Sequence, residues 1–246
     1  MSISLADGTV LVTGASSGIG AATVRRVAAA GADVALVARS EDRLRELADA
    51  VAADHGVETH VVPADVRDSA EVAAAVESTV DSLGPLTGVV VNAGLARGSD
   101  VETMSDDDFL TMQGVNVNGA FYTAREALPA LREATGNIVF IGSFAGKYPR
   151  PFNPVYAATK WWVRGFAMSL AAQVGEDDIG VSVVNPSEVR TEFESADGIP
   201  FAEVFEEGEV TEPEEVADAV AFALGQTPPT TVNELDIYRR DKFGHF

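Results

Sequence analysis

The chain contains no cysteine and, among 246 residues, only three histidines and three lysines. The missing cysteines exclude disulfides, thiolate metal sites and a cysteine nucleophile together, and agree with a cytoplasmic location. His55, His60 and His245 show no ligand spacing, so no metal is expected. No apolar run is long enough to span a bilayer, and no basic segment leads into one at the N-terminus, so neither a membrane span nor a signal peptide is expected. Bases are scarce overall. Acids outnumber them 38 to 17, and the net charge of −21 repels nucleic acid and anionic membranes. Such a surface is either simply well solvated or, as the scarce lysine beside retained arginine favours, halophilic, adapted to a salty cytoplasm that screens its self-repulsion.

What is present is a regular alternation. Nearly half the residues are apolar, enough for a large core. "TVLVTG" (9–14), "DVALVAR" (33–39), "ETHVVPAD" (58–65), "TGVVVNAG" (87–94), "GNIVFIGS" (136–143) and "GVSVVNP" (180–186) read as buried parallel strands, with "ELDIY" (234–238) as a seventh. Helical spacing fills the intervals "IGAATVRRVAAA", "SEDRLRELADAVAADH" and "SAEVAAAVESTVDSL", with Ser40 and Ser69 placed as N-caps. This pattern predicts an α/β fold, a doubly wound parallel sheet of seven strands with helices on both faces. No linker or repeat divides it, so residues 1–246 are expected to form one domain. The long irregular stretch at about 187–212 is expected to be a flexible lid over a site.

Three glycines, Gly14, Gly18 and Gly20, lie between the first strand and the first helix in "TGASSGIG". A turn there aims free backbone N–H groups and the positive helix end at an anion, and glycine lets a pyrophosphate approach. The spacing G-x-x-x-G-x-G differs from the common G-x-G-x-x-G of dinucleotide sites, and a plain tight turn is the simpler alternative. Strand two ends in Ala38-Arg39, where an acid would bind the ribose 2′-hydroxyl of NAD. A planar, permanently charged arginine suits the 2′-phosphate of NADP, so NADP(H) is favoured over NAD.

In "PVYAATKWWVRGF" (154–166), Tyr156 and Lys160 lie four apart on one helix face. A phenol ionises near pH 10 and must fall by about three units to work near neutrality; an adjacent ammonium supplies part of that.

Taken together, "TGASSGIG", "NAG" at 92–94, Asn116 in "GVNVNGAF", Ser143, and Tyr156-x-x-x-Lys160 thirteen residues after that serine resemble the short-chain dehydrogenase/reductase family over nearly the whole chain. The resemblance implies a single-domain Rossmann fold and an oxidoreductase. It implies that Tyr156 exchanges a proton with the substrate oxygen and Ser143 hydrogen-bonds that oxygen. Lys160 would hold the nicotinamide ribose, and Asn116 would anchor a water relay. It also places Ser16, Ser17 and Ile19 in the phosphate turn, Asp65 and Val66 at the adenine, and Asn92, Ala93 and Gly94 beside the adenosine ribose. Pro186, Val189 and Thr191 would border the nicotinamide. Asp65 as a helix-capping acid, and Asn92 and Asn116 as backbone clamps, are the plainer alternatives. Three positions depart from the family pattern: Val91 precedes Asn92, Gly142 replaces a common serine, and Ser187 follows Pro186 where glycine is frequent.

The loops expected above the strand ends carry Arg97, Lys147, Arg150 and Arg190, a large share of bases for so acidic a chain. They suggest an anion site and hence a substrate bearing an acid group, the plainer alternative being that they point outward and pair with surface acids. "NAGLARG", "IGSFAGKYPRPFNPVYAATK" and "NELDIYRR" resemble the serine/3-hydroxy acid dehydrogenase-like branch. That likeness implies NADP-linked interconversion of small hydroxy and keto acids by a homotetramer. A 3-oxoacyl-thioester reductase and a non-catalytic NADP(H)-sensing protein are the competing readings.

Overall fold

β1 (Thr9–Thr13) is buried along its whole length, as a strand covered on both faces must be. In the computed structural model, which describes residues 5–97, 100–194 and 198–245, it lies inside a seven-stranded, all-parallel sheet, next to the central strand. The other strands are β2 (Asp33–Ala38), β3 (Thr59–Pro63), β4 (Leu86–Val91), β5 (Asn137–Ile141), β6 (Gly180–Pro186) and β7 (Glu234–Ile237). Their order is β3-β2-β1-β4-β5-β6-β7. The chain therefore reverses its winding between β1 and β4, which opens a crevice at their carboxyl ends. Gly98, Ser99 and residues 195–197, which fall within loops expected to shape the site, lie outside the described residues.

Helices cover both faces, so this is a single-domain α/β Rossmann fold. α1 (Gly18–Ala28), α2 (Glu41–His55), α3 (Ser69–Leu83), α4 (Asp106–Met112), α5 (Ala120–Ala134), α6 (Pro154–Val174), the short α7 (Phe201–Val204) and α8 (Pro213–Leu224) follow in chain order. One core cluster gathers Val12, Val24, Leu36, Leu44 and Val220 beneath α1, α2 and α8. The other gathers Leu11, Leu86, Leu131, Phe140 and Leu170 beneath α3, α5 and α6. Each fully buried side chain of this size stabilises the fold by about 1.5–3 kcal/mol.

Ser40 stands at the N-cap position of α2 as expected, although its side chain makes no capping hydrogen bond, and α3 is capped by Asp68 rather than Ser69. The Asp68 carboxylate accepts from the N–H groups of Ala70 at 2.8 Å and Glu71 at 3.3 Å, which leaves Ser69 as the first helical residue. No helix among the described residues is long and apolar enough to cross a membrane.

Candidate active site

The strands end earlier than their apolar patterns suggest, and the released residues build the site. β1 stops at Thr13, and Gly14 (φ +67°) and Gly18 (φ +51°) then turn the chain into α1 with backbone angles that favour glycine. A Cβ on Gly20 would lie 2.1 Å from the Gly14 carbonyl oxygen, so only glycine lets the first helical turn approach β1 so closely. Ser17 caps α1 without a side-chain hydrogen bond, and the first turn carries no acid. The leading N–H groups therefore face outward with no competing carboxylate, as an anion requires. Thr191 leans on this turn, 3.1 Å from where a Gly18 Cβ would stand.

β4 likewise ends at Val91, and Asn92 becomes a backbone clamp, donating to the carbonyls of Thr13 at 2.9 Å and Gly14 at 3.1 Å. Asn116, fully buried, sits in a π-helical turn at Gln113–Gly119 between α4 and α5. Its amide accepts from the Leu95 N–H and donates to the Leu95 carbonyl and the Thr159 hydroxyl. The plainer alternative for both asparagines, a clamp on backbone, is thus what their contacts are. Gly94 lies between Asn116 and Lys160, its missing Cβ 3.5 Å from Oδ1 of the first and 3.4 Å from Nζ of the second.

Past β5, Gly142 is obligatory: a Cβ there would meet Asn185 Oδ1 at 2.2 Å, so the serine frequent at this position has no room. Ser143 follows, its hydroxyl accepting from the Ala145 N–H. Asn153 and Pro154 start α6, which carries Tyr156 and Lys160 toward Ser143. Lys160 is buried and donates to the Ile141 carbonyl at 2.8 Å. Burial pushes the Tyr156 phenol up to about 12, opposed by the Ser143 hydroxyl and then by the Arg150 charge. Burial also draws Lys160 down to about 8. The protein alone therefore moves the phenol away from neutrality, because burial outweighs the Ser143 hydroxyl and the Arg150 charge.

A cavity of about 700 Å³ joins these parts. The glycine turn with Ser16, Ser17 and Ile19 lines one end with Arg39, Asp65 and Val66; Asn92, Ala93 and Gly94 form the floor. Ser143, Tyr156, Lys160, Pro186, Val189 and Thr191 line the other end. Gly20 and Asn116 stand behind the wall. Asp65 is held below the usual carboxylate range by the Arg67 guanidinium, which grips it through both oxygens, although burial opposes this; it does not cap a helix. With Asp65 so engaged, Arg39 is exposed at the rim, with no carboxylate at ion-pair distance among the described residues.

The four loop bases divide. Arg97, paired with Glu194 at 2.5 Å, and Arg150 line the cavity. Lys147 instead bonds Asp236 at 2.7 Å, tying the loop after β5 to β7, and Arg190 pairs with Glu212 at the cap of α8. Neither reaches the cavity wall. Among the lining residues that the sequence analysis did not name for the site are Asn153, Glu188 and Lys242. Lys242 arrives from the C-terminal turn, buried, and pairs with Glu188 while its ammonium lies 4.5 Å from the centre of the Phe144 ring. Its scarcity was the only signal in the sequence.

A family model described as short chain dehydrogenase matches residues 8–198. An uncharacterized oxidoreductase of Staphylococcus epidermidis is 32% identical over 92% of this chain and 95% of its own length. Among solved structures, a 3-ketoacyl-(acyl-carrier-protein) reductase from Brucella melitensis complexed with NADH superposes with a TM-score of 0.84 at 29% identity, over 95% of this chain and 98% of that one. The closed form of a serine dehydrogenase complexed with NADP+ has a TM-score of 0.82 at 31% identity, over 94% of both chains. Further similar structures hold NADP or NADPH.

Proposed function

The chain belongs to the short-chain dehydrogenase family, and from that premise we propose that it transfers a hydride between NADP(H) and a small hydroxy or keto acid. The observation that carries this reading is the placing of Ser143, Tyr156 and Arg150 on one cavity with the glycine turn and Arg39. The residues fit the cofactor: an acid-free helix start takes the pyrophosphate, and the unpaired guanidinium of Arg39 takes a 2′-phosphate. NADPH, when bound, supplies the hydride.

In reduction, the carbonyl carbon accepts that hydride and the carbonyl oxygen takes the Tyr156 proton, giving the alcohol. Ser143 steadies the charge that builds on the oxygen. Lys160, whose ammonium lies 5.9 Å from the centre of the Tyr156 ring, would hold the ribose. Since burial holds the free phenol at about 12, the lowering that oxidation needs would have to come from the positive nicotinamide ring of a bound NADP+. Arg150, half-buried between the rings of Phe144 and Phe152 and close enough to Tyr156 to affect its charge, receives the acid group. The likeness to a serine dehydrogenase supports a hydroxy acid, and the likeness to a 3-ketoacyl reductase supports a thioester as the second reading. The excursion at 187–212, with its bridges Val189–Thr211 and Glu194–Pro200, fits a lid that closes over either.

Titration of the purified protein with NADPH and NADH, followed by nicotinamide fluorescence, tests the cofactor. Tighter NADPH binding that Arg39→Ala weakens by about 1–3 kcal/mol is expected. Equal or better NADH binding overturns the role of Arg39.

A further inference from the structure

Two residues that line the cavity each carry a buried polar atom with no hydrogen-bond partner among the described residues. One is Asn153 Oδ1, on a residue only 7% exposed at the start of α6. The other is Glu188 Oε2, on the loop after β6. Both residues line the same cavity as Tyr156. Leaving such atoms unpaired is costly, the more so for a charge, so each marks a place where a donor belongs.

The surroundings specify the donor. Glu188 Oε1 is taken by the Lys242 ammonium, with an Arg150 guanidinium nitrogen 3.9 Å away. Asn153 is joined to the same group, because its N–H donates to the Arg150 carbonyl and closes the turn that carries both. One carboxylate thus faces two cations, and Lys160 adds a third beneath Tyr156. The net positive charge suits an acid group on the ligand. It opposes an ammonium, which would be a further cation in a desolvated space. A hydroxyl is neutral, donates to Glu188 Oε2, and both donates and accepts at the Asn153 amide.

We propose that Glu188 and Asn153 are specificity-determining residues that select a polyhydroxy acid: a substrate carrying, between the reacting carbon and its carboxylate, at least one further hydroxyl. This rests on the hydroxy-acid reading above and deepens it. Arg150 takes the carboxylate, Tyr156 and Ser143 take the oxygen that reacts, and the additional hydroxyl fills the two vacant hydrogen bonds.

Three acids on the same four-carbon chain separate the possibilities: 3-hydroxybutanoate, 2,3-dihydroxybutanoate and threonine, which differ at C2 by hydrogen, hydroxyl or ammonium. NADP+-linked oxidation by the wild-type protein is expected to show kcat/KM at least tenfold higher for the dihydroxy acid than for either of the others. Glu188→Gln and Asn153→Leu, each checked for retained NADPH binding, are expected to reduce that ratio severalfold while 3-hydroxybutanoate turnover changes less. Preference for 3-hydroxybutanoate, or for threonine, overturns the proposal and leaves the hydroxy-acid reading intact. Turnover of none of the three, with a 3-oxoacyl thioester reduced instead, overturns both.

Discussion

The Lys160 ammonium donates to the Ile141 carbonyl at 2.8 Å and lies 5.9 Å from the centre of the Tyr156 ring. It is a buried charge whose one direct protein hydrogen bond is to backbone, and burial lowers it from 10.5 to about 8. Between those values the unfolded chain binds the proton that the folded chain has lost, so stability rises with pH across that window. Below pH 8 the folded lysine stays charged, and the whole penalty, about 3 kcal/mol, is present. The raised phenol acts in the opposite sense and only above pH 10, where the unfolded tyrosine ionises first.

Lys160→Met removes that penalty along with one hydrogen bond worth about 1 kcal/mol. The variant is expected to be at least as stable as the parent at pH 7, by about 1–2 kcal/mol in urea unfolding. Its stability should be flat from pH 8 to 10, where the parent's climbs. Oxidation turnover should fall at least a hundredfold. A variant clearly less stable at pH 7 would show that the ammonium contributes to the fold rather than burdening it.

Gly20→Ala tests the phosphate turn. The added methyl meets the Gly14 carbonyl oxygen at 2.1 Å, and that atom is backbone, so the turn itself must open. NADPH binding is expected to weaken at least tenfold in a fluorescence titration. Gly165→Ala is the control: it lies inside α6 with nothing within 4 Å of its missing Cβ. Helix propensity alone should make it more stable by about 0.5–1 kcal/mol, with NADPH binding unchanged. Unaltered affinity in Gly20→Ala would mean that the turn does not form the phosphate site.

The seven parallel strands were legible, six of them as apolar runs bounded by glycine, proline or a polar residue, whereas their order in the sheet was not read. Their ends were read too long at Gly14, Asn92–Gly94 and Gly142–Ser143, where the chain leaves the sheet to build the crevice; apolar character does not record that departure. The glycine turn, Ser143, Tyr156 and Lys160 were legible as local patterns. Glu188, Asn153 and Lys242 were not, because their meeting depends on three separate segments returning to one wall. Lys147 and Arg190 could not be separated from Arg97 and Arg150 for the same reason: their partners, Asp236 and Glu212, lie far along the chain. The π-helical turn that buries Asn116 has no composition of its own.

The charge surplus gives a last prediction, in which two effects of salt oppose each other. Most bases among the described residues already face a carboxylate, as in Arg26–Asp218, Arg43–Glu192 and Arg132–Asp177, yet these pairs are largely exposed. Exposed pairs contribute about 0–1 kcal/mol each, and added salt weakens them. The net charge of −21 acts over longer distances. Raising salt from 0.1 to 1 M shortens the screening length from about 10 to 3 Å, which removes repulsion between separated carboxylates but leaves contacts of 2.5–2.8 Å partly intact. The long-range repulsion therefore loses more than the pairs do, and the fold gains. The melting temperature is expected to rise by about 4 °C or more between 0.1 and 1 M KCl, equivalent to about 1–2 kcal/mol for a chain of this size. A melting temperature that stays level or falls would mean that the ion pairs outweigh the repulsion and that the acidic surface carries no adaptation to salt.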